Sequence, residues 1–439
     1  MLFFTMEIAT LYTFFLNAVG ICTDTRKLKE GALFFALSGP NFDGNQFAEQ
    51  ALKKGASAVV IDNPKLTLRG ANVILVDNTL NILQDLATYH RQKLNTPLIA
   101  LTGSNGKTTT KELIREVLAS QYNVLATQGN LNNHIGVPLT LLELRPNHEI
   151  GIIEMGANHP GEIAELSEII KPNWGFITNY GKAHLEGFGS LEGVIRSKSE
   201  LYRQLINNGQ NILINRDDSE QVKQTQGYKV SSFGQTEKAN FRWEALESNE
   251  EGIKINFEGQ NFQSKLYGTY NLSNLAAALA FGTLFEVPMD AMQRALSNFV
   301  SENNRSQIIK IQNTQYILDA YNANPTSMLA ALQAFENKTS LNKVVILGDM
   351  MELGISSAEE HEHIVALCLK FSFTKIIVIG AHFNATSFVD ERILKFKNLD
   401  GFKKTIDYTN WKYDLVLIKG SRALQLEDLI PFFKSLQHK

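Results

Sequence analysis

Leu98-Ile99-Ala100-Leu101-Thr102-Gly103-Ser104-Asn105-Gly106-Lys107-Thr108-Thr109-Thr110 passes from an apolar run through a glycine turn into a patterned helix. The run reads as a buried strand, and Leu113, Ile114, Val117 and Leu118 then fall on one helical face. Gly103 and Gly106 let backbone N–H groups crowd a phosphate, and the helix N-terminus adds positive potential. Ser104, Asn105 and Thr109 complete the cradle, Lys107 is placed for the outer phosphates, and the Thr108 hydroxyl suits Mg²⁺. The strict G-x-x-x-x-G-K-S/T pattern is not met, because Leu101 stands where its first glycine belongs. A chance glycine-lysine turn is the alternative. The strand before and the helix after favour ATP or a similar triphosphate.

Around this stretch, strands and helices alternate, which implies a parallel sheet with helices on both faces. The next apolar strand, Ile150-Gly151-Ile152-Ile153, ends in Glu154. An acid at the carboxyl end of a buried strand beside a phosphate loop is where a Mg²⁺ ligand is wanted; a half-exposed strand-end glutamate is the other reading. Pro160 is expected to open a helix running to Ile170. A third strand, Trp174 to Thr178, leads into a glycine-rich loop in which His184 is either a metal or phosphate ligand or simply solvated.

Leu191, Val194, Ile195, Leu201, Tyr202 and Leu205 then form an apolar helical stripe, and Lys198 completes it. A buried ammonium must find anions, snorkel or lose its proton. A neutral buried amine can also add CO₂ to become a carbamate, turning a cation into a metal-binding anion. Residues 228–268 shift to alternation, as in Ile253-Lys254-Ile255-Asn256-Phe257, and predict antiparallel strands inserted in this unit.

Residues 22–94 read as a small α/β unit, with strands at 32–37, 58–61 and 73–76, a helix at 46–54, and Thr79 as the cap of a further helix. Its polar loops Thr23-Asp24-Thr25-Arg26 and Asn41-Phe42-Asp43-Gly44 read as surface turns by themselves. Ile8, Leu11, Tyr12 and Phe15 share one face of an N-terminal helix, which favours an amphipathic docking helix over a signal peptide; Met6 is a candidate start. Asn95-Thr96-Pro97 reads as a linker. Beyond residue 315, β/α alternation resumes with strands at 316–319, 344–349, 376–380 and 415–420. No tract of about 18 apolar residues spans a bilayer.

The 439 residues accommodate two to four domains, and a net charge of -3 gives no bulk attraction to nucleic acid or anionic membrane. Cys22 and Cys368 have no metal-ligand spacing, which fits a reducing, cytoplasmic setting.

Gly103-Ser104-Asn105-Gly106-Lys107-Thr108-Thr109 resembles the phosphate loop of the Mur ligase family, which joins amino acids to the peptidoglycan precursor. Further strings are similar to the family's in the same order. They are Gly129 to Pro138, Glu154-Met155-Gly156-Ala157, Ala183-His184-Leu185-Glu186-Gly187-Phe188-Gly189-Ser190, Asp319-Ala320-Tyr321-Asn322-Ala323-Asn324-Pro325, Leu347-Gly348-Asp349-Met350 and Lys419-Gly420-Ser421-Arg422. The resemblance implies three α/β domains: 1–94 for the uridine nucleotide, 95–305 for ATP on a parallel sheet, and a Rossmann-like 306–439. It implies Lys107, Lys198 and His184 as catalytic residues, with Lys198 carbamoylated. Thr108, Glu154, His184 and Lys198 would ligate magnesium, two ions in all. Asn274, Arg305 and Asp319 would hold adenine, phosphate and ribose, and Thr25 and Arg26 the uridine nucleotide.

Within the family, Tyr321-Asn322-Ala323-Asn324-Pro325 and His184 to Gly189 resemble the member that adds D-alanyl-D-alanine to the UDP-muramoyl-tripeptide. Implied are an ADP-forming ligase acting through an acyl phosphate, small-molecule partners, and a cytoplasmic monomer whose third domain closes over ATP. A different amino-acid-adding or folate-polyglutamate ligase is the alternative within the class. A guanine-reading switch would need an Asn-Lys-x-Asp string, which is absent, and retention of Lys107, Glu154, His184 and Lys198 argues against an inert scaffold.

Overall fold

Short apolar runs alternating with amphipathic helices assemble into three main sheets in the computed structural model, which describes residues 7–68, 70–249, 252–301, 304–340, 342–406 and 411–435. Met6 lies outside these residues. The first sheet is parallel, in the order Ile21–Cys22, Leu33–Phe35, Ala58–Ile61, Val73–Leu75. The N-terminal helix Ile8–Asn17 buries Leu11 and Phe15, and its Tyr12 ring packs edge-on against Tyr89 at 5.0 Å. It is therefore an internal docking helix. Thr79 is not the cap of its helix: Asn78 is, accepting from Asn81 N at 2.9 Å, while the Thr79 hydroxyl donates to Asp62 at 2.9 Å.

The central sheet has nine strands, ordered Gln260–Ser264, Gly252–Phe257, Phe241–Asn249, Ser231–Gly234, Asn211–Asn215, Trp174–Ile177, Leu98–Thr102, Ile150–Glu154, Val124–Ala126. The strands from Ser231–Gly234 to Val124–Ala126 are parallel, so their carboxyl ends share one edge. The expected insertion extends this same sheet. Phe241 pairs parallel to Phe233, and the final two strands turn antiparallel with Ile253, Ile255 and Phe257 inward. Two helix predictions shift. Gly161, with φ 92, caps a helix that starts at Glu162, because the Glu162 carboxylate takes the Asn158 and His159 amides and leaves Pro160 ahead of the first turn. The apolar-stripe helix divides at Ser199 into Leu191–Lys198 and Glu200–Asn207, where the Tyr180 and Ser199 hydroxyls meet at 2.8 Å. Leu191 is exposed, whereas Val194, Lys198, Leu201, Tyr202 and Leu205 are buried.

The third sheet runs Gln307–Ile311, Thr314–Asp319, Leu415–Lys419, Lys343–Gly348, Lys375–Ile379, Ile393–Phe396, parallel except for the first hairpin. Both outer strands are absent from the sequence reading because edge strands are half-exposed and lack a continuous apolar run. No helix among the described residues is long and apolar enough to cross a membrane.

Two interior histidines are held neutral. His90 sits between the Tyr12 hydroxyl (3.1 Å) and Leu144 O (3.0 Å), and burial lowers its pKa. His361 donates from Nδ1 to Ser357 O at 2.6 Å and accepts at Nε2 from Met350 N at 3.0 Å; burial lowers its pKa as well. The unfolded chain therefore binds more protons below the free histidine value of about 6.5, and stability present above that pH is lost as pH falls. The apparent melting temperature should drop by roughly 2–4 °C or more between pH 7.5 and pH 5.5. A flat or rising profile over that window would contradict the neutral assignment.

Candidate active site

The phosphate-type loop leaves the carboxyl end of Leu98–Thr102, inside the parallel part of the central sheet, and is stapled to the neighbouring strand's exit. Asn105 N donates to Asn179 Oδ1 (3.0 Å), Thr178 Oγ1 donates to Asn105 O (2.6 Å), and Ser104 Oγ donates to Gly181 O (2.9 Å). Gly103, with φ +148, lies so close to Thr178 that a Cβ would fall 1.9 Å from its hydroxyl. Gly106 takes φ +78 as it caps the helix Lys107–Ala119. Lys107 Nζ donates back to Gly103 O at 2.8 Å. Burial lowers the pKa of this amine, opposed by the charge of Glu154 and reinforced by that of Arg305.

These residues open into a cavity of about 1040 Å³ at the carboxyl edge, large enough for a nucleotide with a second substrate. Glu154, 1% exposed, enters its wall from the strand end. Its Oε1 accepts from Asn132 Nδ2 at 2.8 Å, while Oε2 is buried without a hydrogen-bond partner. An orphaned carboxylate oxygen beside a phosphate cradle fits a cation, since burying it unpaired is otherwise costly. Thr108 lines the same cavity, as does His184, whose Nδ1 contacts the Glu352 carboxylate. That contact holds the Glu352 carboxyl below the usual range. Among the described residues no three His, Cys, Asp or Glu side chains cluster as a metal cage.

Lys198 is 1% exposed but is not among the residues lining the cavity. Its Nζ lies 5.4 Å from the Phe188 ring, and the His184 ring meets that same ring edge-on at 6.4 Å. Burial, and then the Lys107 charge, push the Lys198 pKa well below the ordinary lysine value.

The third sheet closes the cavity from above. Asn324 Nδ2 donates to Asn105 Oδ1 at 2.7 Å, Lys182 N to Thr326 Oγ1 at 3.0 Å, and Lys182 Nζ pairs with Glu360 at 2.6 Å. Arg305 lies 3.6 Å over the Tyr321 ring, with Arg422 on the ring at 5.4 Å. Arg305 is flanked by Asn304 and Ser306, both left-handed at φ 57 and 52. Asp319 accepts from Lys419 Nζ at 2.6 Å and from Ser306 N at 3.2 Å. Asn274 stands against Gly106, bonded to Thr110 and Asn271.

Thr25 and Arg26 lie apart from this cavity: Thr25 donates to Gln50 at 3.0 Å, and Arg26 pairs with Asp24 at 2.8 Å. Asn132, Tyr321, Asn324, Glu352 and Lys419 went unassigned in the sequence. All but Glu352 lie inside quoted strings; Glu352 follows Met350 by two positions.

With this geometry, comparison with known proteins is direct. Residues 17–91 match the Mur ligase family catalytic domain, 101–282 the Mur ligase middle domain, and 304–422 the Mur ligase glutamate ligase domain. A UDP-N-acetylmuramoyl-tripeptide--D-alanyl-D-alanine ligase of Bacillus subtilis (strain 168) is 36% identical, covering 94% of this chain and 92% of its own length. The chain belongs to the Mur ligase family. The enzyme of the same name from Escherichia coli (strain K12) is 34% identical over 93% of this Mur ligase and 92% of its own length. The crystal structure of a MurF ligase from Thermotoga maritima in complex with ADP superposes with a TM-score of 0.85 at 26% identity, covering 96% of this chain and 98% of that one. A MurF structure from Acinetobacter baumannii gives 0.85 at 30% identity, covering 94% and 93%.

Gly103→Ala forces a methyl group into the Thr178 contact and strains a left-handed backbone. It should destabilise this Mur ligase by about 2–3 kcal/mol, read as a lower denaturant midpoint. An unchanged midpoint would refute the close approach of the two loops.

Proposed function

We propose that this Mur ligase adds D-alanyl-D-alanine to UDP-N-acetylmuramoyl-tripeptide, converting ATP to ADP and phosphate. One observation carries the chemistry: Lys107, Thr108, the orphaned Glu154 oxygen and Arg305 converge on one cavity that the third sheet roofs. The near full-length likeness to relatives of that name supports the substrate pair. In the first step a tripeptide carboxylate oxygen attacks the γ-phosphorus and the bond to ADP breaks, giving an acyl phosphate. In the second, the dipeptide nitrogen attacks the acyl carbon, loses a proton, and inorganic phosphate leaves with its oxygen.

Phosphoryl transfer asks a protein chiefly for positioning and charge neutralisation. Gly103 to Thr109 cradle the phosphates, Lys107 neutralises the outer ones, and Arg305 closes on them from the segment that leads into the third sheet. Asn274 and Asp319 flank the adenosine half. Thr108 and Glu154 would hold one Mg²⁺, and His184 with carbamoylated Lys198 a second, supplying neutralisation of phosphate and carboxylate oxygens. The lowered pKa of Lys198 supports a neutral amine able to take up CO₂. Thr25 and Arg26 would meet the uridine nucleotide.

The division into 1–94, 95–305 and 306–439 is supported by one main sheet within each range. A monomer is the state this reading takes for the chain. The place of work is the cytoplasm, where ATP is supplied.

Phosphate release should require both precursor and dipeptide, and replacement of D-alanyl-D-alanine by glutamate should abolish it; turnover with glutamate would favour a folate-polyglutamate type of ligase instead. Lys107→Ala should lose at least 100-fold in turnover with unchanged melting, and near-normal phosphate release would remove the loop from catalysis. Lys198→Ala should be inactive and regain activity with added acetate or formate; full activity without them would dispose of the carbamate.

A further inference from the structure

His184 and Glu352 are both left-handed without being glycine, at φ 52 and 61, and their side chains meet in the catalytic cavity from opposite units. Such conformations persist only where the surroundings over-determine them, and they gather at functional sites. The Glu352 turn is clamped on each side. Met350 N donates to His361 Nε2 at 3.0 Å, Met351 N to Ser421 Oγ at 3.0 Å, and Glu186 N to Glu352 O at 3.1 Å. The clamps aim a half-exposed carboxylate at the gap between the units, beside His184 and within the field of Lys107.

The incoming dipeptide arrives with an α-ammonium group and must place it beside the acyl carbon. Other carboxylates of the cavity are engaged or turned to solvent. Asp319 is taken by Lys419 and Ser306, Glu162 by two backbone amides, and Glu154 by Asn132 and the cation it suits. Glu165 and Glu168 are exposed on their helix. Glu352 remains, with one oxygen at His184 and half its side chain open. Resting on the ligase reading above, we propose that the Glu352 carboxylate anchors the ammonium group of the incoming dipeptide. The acceptor subsite is then assembled only when the third unit is closed, because the anchor and the phosphate cradle come from different units.

Glu352→Gln removes the charge and keeps the shape. Its KM for D-alanyl-D-alanine should rise at least tenfold while its KM for ATP stays within twofold. Hydroxylamine-trapped acyl phosphate, formed from ATP and tripeptide without dipeptide, should persist. Propionyl-D-alanine, the same dipeptide without its amine, should inhibit wild type and variant equally, a result that a merely structural role would not produce. Glu352→Asp should fall between the two. An unchanged dipeptide KM overturns the assignment, as does loss of acyl phosphate in the variant when wild type forms it. No acyl phosphate in the wild-type enzyme would instead sink the ligase reading, and this anchor with it.

Discussion

A carboxylate oxygen at Glu154, buried at a strand end and left without a partner, is the constraint around which the central unit is arranged. Unpaired charge in an apolar sheet edge is among the most costly things a fold can hold. The surroundings limit that cost. Asn132 binds the other oxygen, Thr127 accepts the Glu154 backbone N–H, and the Lys107 amine lies within electrostatic reach. The parallel sheet brings Glu154 level with the loop after Leu98–Thr102, since the two strands pair directly with Leu101 opposite Glu154. A cation between this carboxylate and a bound phosphate would satisfy both at once.

The same edge explains the loop's rigidity. The bonds of residues 104 and 105 to residues 179 and 181 fix the cradle to the next strand, and Asn324 then ties Asn105 to the third sheet. The phosphate loop thus takes part in the seam between units. Asn105 Oδ1 is spent in that seam, whereas Asn105 Nδ2, Glu154 Oε2 and Arg305 Nε are buried without a hydrogen-bond partner.

Much of this was legible because it is periodic. Five successive buried residues mark Leu98–Thr102, and helical spacing alone placed Lys198 inside. Helix boundaries were less legible, for local reasons. Asn78 and Thr79 are both cap formers, and only the Asp62 carboxylate, reached through the fold, claims Thr79. Ser199 breaks a stripe that continues through it, and Tyr180, from the loop after Trp174–Ile177, meets it there. The edge strands Gln307–Ile311 and Ile393–Phe396 were missed because one side faces water and their apolar residues thin out. In the cavity, Glu154 could be read from its strand, but Asn132 beneath it could not: a single polar contact across a loop leaves no periodic trace. Glu352 was invisible for the same reason at longer range, its meaning residing wholly in the His184 it faces.

The Arg305 stack on Tyr321 has a mechanical side. Arg305 lies between the helix Met289–Asn298 and the third sheet's first strand, and its neighbours on either side are wound left-handed. A rotation about those torsions would carry the guanidinium along with it. On the ligase reading proposed above, the side chain assigned to the phosphates would also sit at the turn between the lobes. A triphosphate gripped by that side chain would then stiffen the wrist beneath it.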